Sequence, residues 1–311
     1  MEKGVSFSQA IEGYLLYAHS RRLSEYTIAD YSSTFGKLAR FLVEDVALGE
    51  ITVERVEAFL GGQGHLSKKT ILNQHTGLSA LWTWAVKRRV VERHILREVD
   101  RPRPEQRVIE TFTEEDVQRL LNACKRSEAY RRPGKKRCSN ARPTAVRDRT
   151  IILVLLDSMV RVSELCGMET QLADLKAGTI KVLGKRGKER IVPISAETAE
   201  AVWYYLSVRG KPRPKYAGVL FLTTEGRRME RNAVGKLIRT LGRRVGVQAN
   251  PHKFRHTGAT QFVKNGGNVF ALKRILGHAT MTMVNRYVHM AQVDIEEAHR
   301  GASPVYNWDL R

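Results

Sequence analysis

Two closely spaced prolines divide the sequence into two stretches of helical periodicity. Pro102 and Pro104 lie in "DRPRPEQR", residues 100–107, and neither can continue an α-helix. With 311 residues, of which 42% are hydrophobic, the chain is long enough to bury two separate cores. We therefore expect an N-terminal domain at residues 1–99, a linker at 100–110, a second domain at 111–290 and a tail at 291–311.

The first 99 residues have the pattern of a small all-helical domain. Apolar residues recur at steps of three and four residues in four segments. Side chains that can cap a helix precede three of these segments, namely Ser24 (or Thr27), Thr52 and Ser67. Four helices in about 100 residues are typical of a small helical bundle.

The second stretch adds a short β-structure to further helices. Thr113 with Asp116 forms a capping pattern, and an apolar segment predicts a buried helix that is interrupted near Ser158. Two β-rich runs at 180–183 and 190–194 flank a turn rich in Gly and Lys, which predicts a hairpin. The fold class we expect is mainly α with a small β-hairpin or sheet (α+β).

The charge balance indicates a polyanionic partner. The chain has 53 Lys and Arg residues against 32 Asp and Glu, for a formal net charge of +21. Residues 231–293 contain no Asp or Glu, so this segment attracts polyanions. The alternative is a basic surface that is merely solvated.

Cysteine usage and hydropathy indicate the compartment. Cys124, Cys138 and Cys166 fit neither paired zinc spacing nor a disulfide framework, which favours a reducing cytoplasm. The first 22 residues do not have the order of a signal peptide, and no apolar run reaches about 18 residues. We expect a cytoplasmic protein without a membrane partner.

The segment "PHKFRHTGAT", residues 251–260, combines two histidines and an arginine without a carboxylate. His252 and His256 have the spacing of a helical zinc site, but Lys253 occupies the position where a zinc protease has its Glu. A two-metal nuclease needs clustered carboxylates, and "GKRGKER" is not a Walker phosphate loop. The remaining chemistry is stabilisation of a phosphate by fixed cations, with a side-chain nucleophile and with no metal or cofactor.

These motifs, in this order, resemble the tyrosine recombinase (integrase) family over nearly the whole chain. The matching segments are "SMVRVSEL", the predicted hairpin "VLGKRGKERIVPI", "HKFRH", "LGH" and "NRYVHM". They supply, in chain order, Arg161, Lys185, His252, Arg255, His278 and Tyr287. One departure is Met159, which replaces the family's glycine two residues before Arg161, so the resemblance does not settle the backbone of that turn.

The resemblance implies a helical, SAM-like core-binding domain followed by a recombinase catalytic domain. Tyr287 would attack phosphorus and form a 3′-phosphotyrosyl intermediate, which conserves the phosphodiester's energy for rejoining. Arg161 and Arg255 would each grip the charge on the nonbridging oxygens through paired N–H groups. A plainer role for Arg161 is an ion pair with Glu164 inside its own helix.

Three further side chains would handle protons and the phosphate. Lys185 would protonate the departing 5′-oxygen, although Arg186 and Lys188 in the same turn are alternatives. His252 would act on the tyrosine proton or on the phosphate, and His278 would donate to a phosphate oxygen. We expect His256 and His289 to be structural or supporting.

The expected partner is double-stranded DNA with specific recombination sites, bound by a homotetramer that can require a directionality factor. The biological role would be integration and excision, or resolution of mobile or replicon DNA. Two alternatives are DNA relaxation of the type IB topoisomerase kind and a DNA-binding protein with an inactive site. The tail at 291–311 would contact a neighbouring protomer or fold back on its own domain.

Overall fold

The structure is a computed structural model that describes residues 4–103, 110–127, 139–184, 189–277, 281–291, 299 and 303–308. The chain divides into two compact units, Met1–Val108 and Ile109–Arg311. The expected fold class, mainly helical with a small sheet, is confirmed. The DNA-binding role of the first unit remains a prediction.

The first unit is built from four α-helices and two short 3₁₀ turns. Each of the four predicted helical segments forms a helix, and the side chains of Ser24, Thr52 and Ser67 accept hydrogen bonds from backbone N–H groups three residues later. The core contains an edge-to-face contact between Tyr14 and Phe35, with ring centroids 5.6 Å apart. The helices are α1 (Phe7–Ser20), α2 (Glu25–Leu42), α3 (Val53–Gly61) and α4 (Lys68–Lys87), and the 3₁₀ turns are Leu48–Glu50 and Ile95–Arg97.

The second unit begins with the predicted capping box and the interrupted apolar helix. Thr113 and Asp116 exchange side-chain and backbone hydrogen bonds at the start of α5 (Glu114–Lys125). Helix α6 (Ala145–Asp157) ends just before Ser158, and the chain becomes helical again in α7 (Val162–Cys166), as expected.

A three-stranded antiparallel sheet follows. Its strands are β1 (Ala173–Asp174), β2 (Thr179–Leu183) and β3 (Glu189–Pro193), in the order β1-β2-β3. The predicted hairpin is the β2–β3 pair, in which Ile180 is opposite Val192. Strand β1 has only two residues, so its sequence carried no periodic signal.

The remaining elements of the second unit are helical, and α8, α9, α11 and α12 among them pack against α6 or α10. They are α8 (Ala196–Val208), a 3₁₀ turn at Pro214–Tyr216, α9 (Arg231–Val245), α10 (Pro251–Lys264), α11 (Val269–Leu276), α12 (Thr282–Ala291) and α13 (Pro304–Asn307). Helix α10 contacts α6, α11 and α12, and α11 contacts β3. The segment "PHKFRHTGAT" therefore lies on a helix that packs against α6, α11 and α12.

No helix in the described part of the chain is both long and apolar enough to cross a lipid bilayer.

Candidate active site

Tyr287 lies in the packed interface between α12 and α10. Its side chain is only 1% exposed. The phenol oxygen lies 3.0 Å from Nδ1 of His256, and the two ring centroids are 5.8 Å apart. Burial raises the pKa of the Tyr287 hydroxyl, while the positive charges of Arg255, Arg161 and Arg286 act in the opposite direction. The expected nucleophile is thus a neutral phenol surrounded by cations.

Arg255 is held deep in the same interface. It is 4% exposed, its Nη1 donates to the carbonyl oxygen of Met159 at 2.6 Å, and its Nη2 donates to that of Leu276 at 2.7 Å. These two bonds connect α10 to the turn after α6 and to the end of α11. Burial, and after it the charge of Arg161, lowers the pKa of the Arg255 guanidinium to about 10. The group therefore stays charged at neutral pH.

The turn before Arg161 has the backbone conformation that glycine favours, although methionine occupies it. Met159 has φ of 54°, in the left-handed region, and its side chain is buried. This conformation directs the Met159 carbonyl to Arg255. The departure from the family pattern therefore leaves the turn itself intact, and the methionine side chain fills part of the core.

Arg161 begins helix α7 and is tied to Glu164. The Glu164 carboxylate accepts from the Arg161 backbone N–H at 2.8 Å and from its Nη1 at 3.0 Å. An ion pair with Glu164 was the alternative role that the sequence allowed for Arg161, and this ion pair is present. The Arg161 side chain is still 38% exposed, so an external anion can reach it as well.

Glu164 is a buried carboxylate shared by two arginines. Nη1 and Nη2 of Arg190, on β3, donate to its two oxygens at 2.8 Å each, and Nε of Arg190 donates to the carbonyl of Ile275 at 2.7 Å. Burial acts to raise the pKa of Glu164, but the hydrogen bonds from Arg190 and from the Arg161 backbone outweigh it and hold the pKa at about 2. The carboxylate is ionised, and it fixes Arg161 relative to the hairpin.

His252 lies one helical turn before His256 on α10, and its side chain is exposed. The surrounding protein, followed by the charges of Arg255 and Arg161, lowers its pKa. A neutral His252 at physiological pH is consistent with a hydrogen-bonding role towards a phosphate, and that role stays a prediction.

Lys185 and His278 lie outside the described residues. Gly277, which precedes His278, has φ of 62° and ends helix α11. A Cβ atom at position 277 would lie 3.2 Å from Nη1 of Arg190, so a side chain there would press on the arginine that holds Glu164.

The structure thus brings together four of the six expected residues, namely Arg161, His252, Arg255 and Tyr287. The charges of Arg161 and Arg255 act on the pKa of His252 and on that of Tyr287, and the charge of Arg161 acts on the pKa of Arg255. Sequence reasoning gave no role to Arg190 and only a structural or supporting one to His256. Arg190 shares a strand face with buried Val192, and an inward-facing arginine requires a buried partner. His256 follows Arg255 directly, on the helix face that His252 also occupies.

Comparison with known proteins identifies the family. A model of the phage integrase family matches residues 110–293, which is more than half of the chain. The chain belongs to the phage integrase family. Over nearly its whole length it is also similar to bacterial tyrosine recombinases. Tyrosine recombinase XerC of Proteus mirabilis is 25% identical over 306 residues, covering 96% of this chain and 95% of the relative. Tyrosine recombinase XerD of Mycobacterium tuberculosis is 27% identical over 312 residues, covering 98% and 94%.

Solved structures share the fold. The recombinase XerH, solved bound to a palindromic difH substrate, has a TM-score of 0.72 at 20% identity and covers 98% of this chain and 85% of its own. A lambda integrase tetramer bound to a Holliday junction has a TM-score of 0.70 at 16% identity, covering 92% and 78%. The expected activity is confirmed: the protein is a tyrosine recombinase, a DNA strand-transferring enzyme. Neither the topoisomerase alternative nor the inactive-site alternative is favoured.

Proposed function

We propose that this recombinase cuts and rejoins duplex DNA at specific sites, with Tyr287 as the nucleophile and Arg161 and Arg255 as the cations that stabilise the attacked phosphate. The observation that carries the proposal is the position of the Tyr287 hydroxyl, which lies 3.0 Å from His256 on α10, the helix that also carries Arg255. The charges of Arg255 and Arg161 both act to lower the pKa of this hydroxyl. Attack on phosphorus joins the tyrosine oxygen to the 3′-phosphate and releases a 5′-hydroxyl. The reverse attack by another 5′-hydroxyl completes strand transfer.

The two arginines differ in what they offer the phosphate. Arg255 is immobilised by two carbonyl groups, so its charge is fixed in place before DNA binds. The Arg161 side chain is more exposed to solvent than that of Arg255, and a hydrogen bond from its Nη1 to the Glu164 carboxylate orients its guanidinium. A planar guanidinium bonds two phosphate oxygens through a fixed fork of paired N–H groups, a geometry that a lysine at either position cannot reproduce.

Lys185 is the proposed acid for the 5′-oxygen, and His278 donates to a nonbridging oxygen. His252, exposed beside Arg161 and Arg255, acts on the phosphate or on the tyrosine proton. No metal or cofactor enters this scheme, because fixed cations supply the charge stabilisation that a metal would otherwise provide.

The proposed partner is double-stranded DNA carrying recombination sites, bound by a homotetramer. The net charge of +21 and the acid-free segment 231–293 support DNA binding. Among proteins of the same fold, XerH has been solved on a difH substrate and lambda integrase as a tetramer on a Holliday junction, which supports DNA and a tetramer here. A directionality factor and a cytoplasmic location belong to the same proposal.

A nicked suicide substrate tests the nucleophile, because the released fragment diffuses away and the covalent complex accumulates. We expect Tyr287→Phe to bind DNA with unchanged affinity and to form no covalent complex. Tyr216→Phe, at a half-buried position in the 3₁₀ turn Pro214–Tyr216, is the matched control and should react normally. A persistent covalent adduct in Tyr287→Phe would remove Tyr287 from the mechanism.

The acid is tested with a 5′-thio leaving group, which needs little protonation. We expect Lys185→Ala to cleave the ordinary 5′-oxygen substrate slowly and the 5′-thio substrate at close to the normal rate. Equal losses on both substrates would place the general acid at another residue.

A further inference from the structure

The structure records a hydrogen bond between His256 and the Tyr287 hydroxyl. His256 directly follows Arg255, and it is not one of the six residues that the family resemblance supplied. The 3.0 Å separation between Nδ1 and the phenol oxygen is within normal hydrogen-bond range. Helix α10 also carries Arg255, one residue earlier, so one rigid element positions both the phosphate-binding cation and this imidazole. Among the described residues, no hydrogen bond joins His252 to Tyr287.

The charges around His256 favour its neutral form. His252 and Arg255 approach from its own helix, and Arg286 and Tyr287 approach from α12. Burial, followed by the positive or titratable groups at 252, 255 and 286, lowers the pKa of His256 below its ordinary value of 6.5. A neutral imidazole has one nitrogen that can accept a proton. We assign the accepting role to Nδ1 of His256, because an imidazole nitrogen is a better acceptor than a phenol oxygen; the phenol then donates in this pair.

We propose that His256 is a catalytic residue that accepts the proton of Tyr287 as the tyrosine attacks the DNA phosphate. The O–H bond of Tyr287 breaks and its proton moves to Nδ1 of His256, while a new bond forms between the phenol oxygen and phosphorus. The bond from phosphorus to the 5′-oxygen breaks, and that oxygen takes its proton from the general acid. On rejoining, His256 returns its proton to the tyrosine.

This assignment rests on the proposed function and refines it. It gives the tyrosine proton to His256 and leaves His252, which is exposed and faces Arg161 and Arg255, to the phosphate. The transfer also creates an imidazolium beside the phosphate at the moment when negative charge accumulates there. Positioned bases of this kind contribute about 10²-fold to 10⁴-fold to rate.

The decisive variant is His256→Asn, because Oδ1 of asparagine can occupy the position of Nδ1 and accept a hydrogen bond but cannot hold the proton. His289→Asn, an exposed position on α12, is the matched control and should behave as the unmodified protein. Covalent complex formation is measured from pH 5 to 9 on nicked substrates with a 5′-oxygen and with a 5′-thio leaving group. DNA affinity and melting temperature are recorded for each variant.

We expect His256→Asn to form the covalent complex at least about 10²-fold more slowly on both substrates, because the thio group relieves only the leaving-group step. The unmodified protein should lose rate as pH falls through the pKa of His256, below 6.5, and should level off above it. The variant should lack that plateau and gain rate steadily with pH. Imidazole added to His256→Ala should restore part of the rate. This rescue tests the same role of His256 in a second variant, should the asparagine variant fold poorly.

The proposal is overturned if His256→Asn reacts at the normal rate. It is also overturned if the variant is slow but keeps the normal pH profile, since His256 would then only position Tyr287, or if the thio substrate alone restores its rate. Failure of the proposed function itself has a different signature, namely covalent complex formation by Tyr287→Phe.

Discussion

Replacing Gly258 by alanine should displace the helix that carries the candidate active site. Gly258 lies on α10 where that helix crosses the end of α6. A Cβ atom there would lie 2.2 Å from the carbonyl oxygen of Leu156 and 2.7 Å from Cγ of Met159. Real Cβ atoms essentially never approach within 3.0 Å, and the nearer neighbour is backbone that cannot rotate away. Helix α10 therefore has to move from α6 by about 1 Å.

The cost follows from the contacts that this shift weakens. Overpacking a core by one methyl group costs about 1–3 kcal/mol. A separation of about 1 Å between α10 and α6 would also remove about a quarter to a half of the dispersion energy of each contact between them. The bond from Arg255 to the Met159 carbonyl, now 2.6 Å, would also lengthen, and a bond to a charged group contributes about 1.5–3 kcal/mol. Alanine's better helix propensity returns at most about 1 kcal/mol. The net loss in unfolding free energy should be about 2–4 kcal/mol.

Calorimetric unfolding of the full chain measures this loss, and covalent complex formation on a suicide substrate measures its effect on the site. Gly235→Ala is the control, because the nearest atoms to its added Cβ belong to the flexible guanidinium of Arg239, and the change should be neutral or stabilising. We expect Gly258→Ala to lose both stability and cleavage rate. A Gly258→Ala protein as stable and as active as the unmodified recombinase would refute the close packing of α10 on α6.

Three further predictions concern the turn, the buried carboxylate and the tail. Met159→Gly should relieve about 1 kcal/mol of left-handed strain but lose about 2–5 kcal/mol of buried side chain, so thermal unfolding should show net destabilisation; a gain in stability would contradict the packing of this methionine. Because the folded-state pKa of Glu164 is about 2, below its ordinary 4.5, its stabilisation of about 3 kcal/mol is complete above pH 4.5 and is lost as pH falls to 2. The stability difference from Glu164→Gln should therefore shrink over that range in denaturant titrations, and a constant difference would rule out the ionised pair. Truncation after Met290 should leave single-site DNA binding nearly intact in mobility-shift assays and impair synapsis; full recombination of paired sites would show that the tail is dispensable.

The local elements of the fold could be predicted because their determinants are adjacent in sequence. Periodic apolar residues and caps such as Ser24, Thr52 and the Thr113–Asp116 pair act within one turn of a helix, and each formed the expected structure. The β2–β3 hairpin was equally local. The two-residue strand β1 escaped prediction because its pairing with β2 depends on the sheet and has no periodicity of its own.

The chemistry of the candidate site could also be predicted in part from the sequence. Elimination pointed to fixed cations and a side-chain nucleophile, and the resemblance of the ordered motifs to the tyrosine recombinase family implied the residues from Arg161 to Tyr287, with the tyrosine as nucleophile. The family comparison confirms that activity, while the individual roles remain predictions.

By itself, then, the sequence determined which chemistry the protein performs and which segments form its helices and hairpin. Only the tertiary structure decided which side chains complete the site. Arg190 meets Glu164 across 26 residues of sequence, and His256 meets Tyr287 across 31. Both contacts depend on how β3, α7, α10 and α12 pack. A local pattern specifies the face of a helix, but the partner on that face is set by packing distances of a few ångströms between elements distant in the chain.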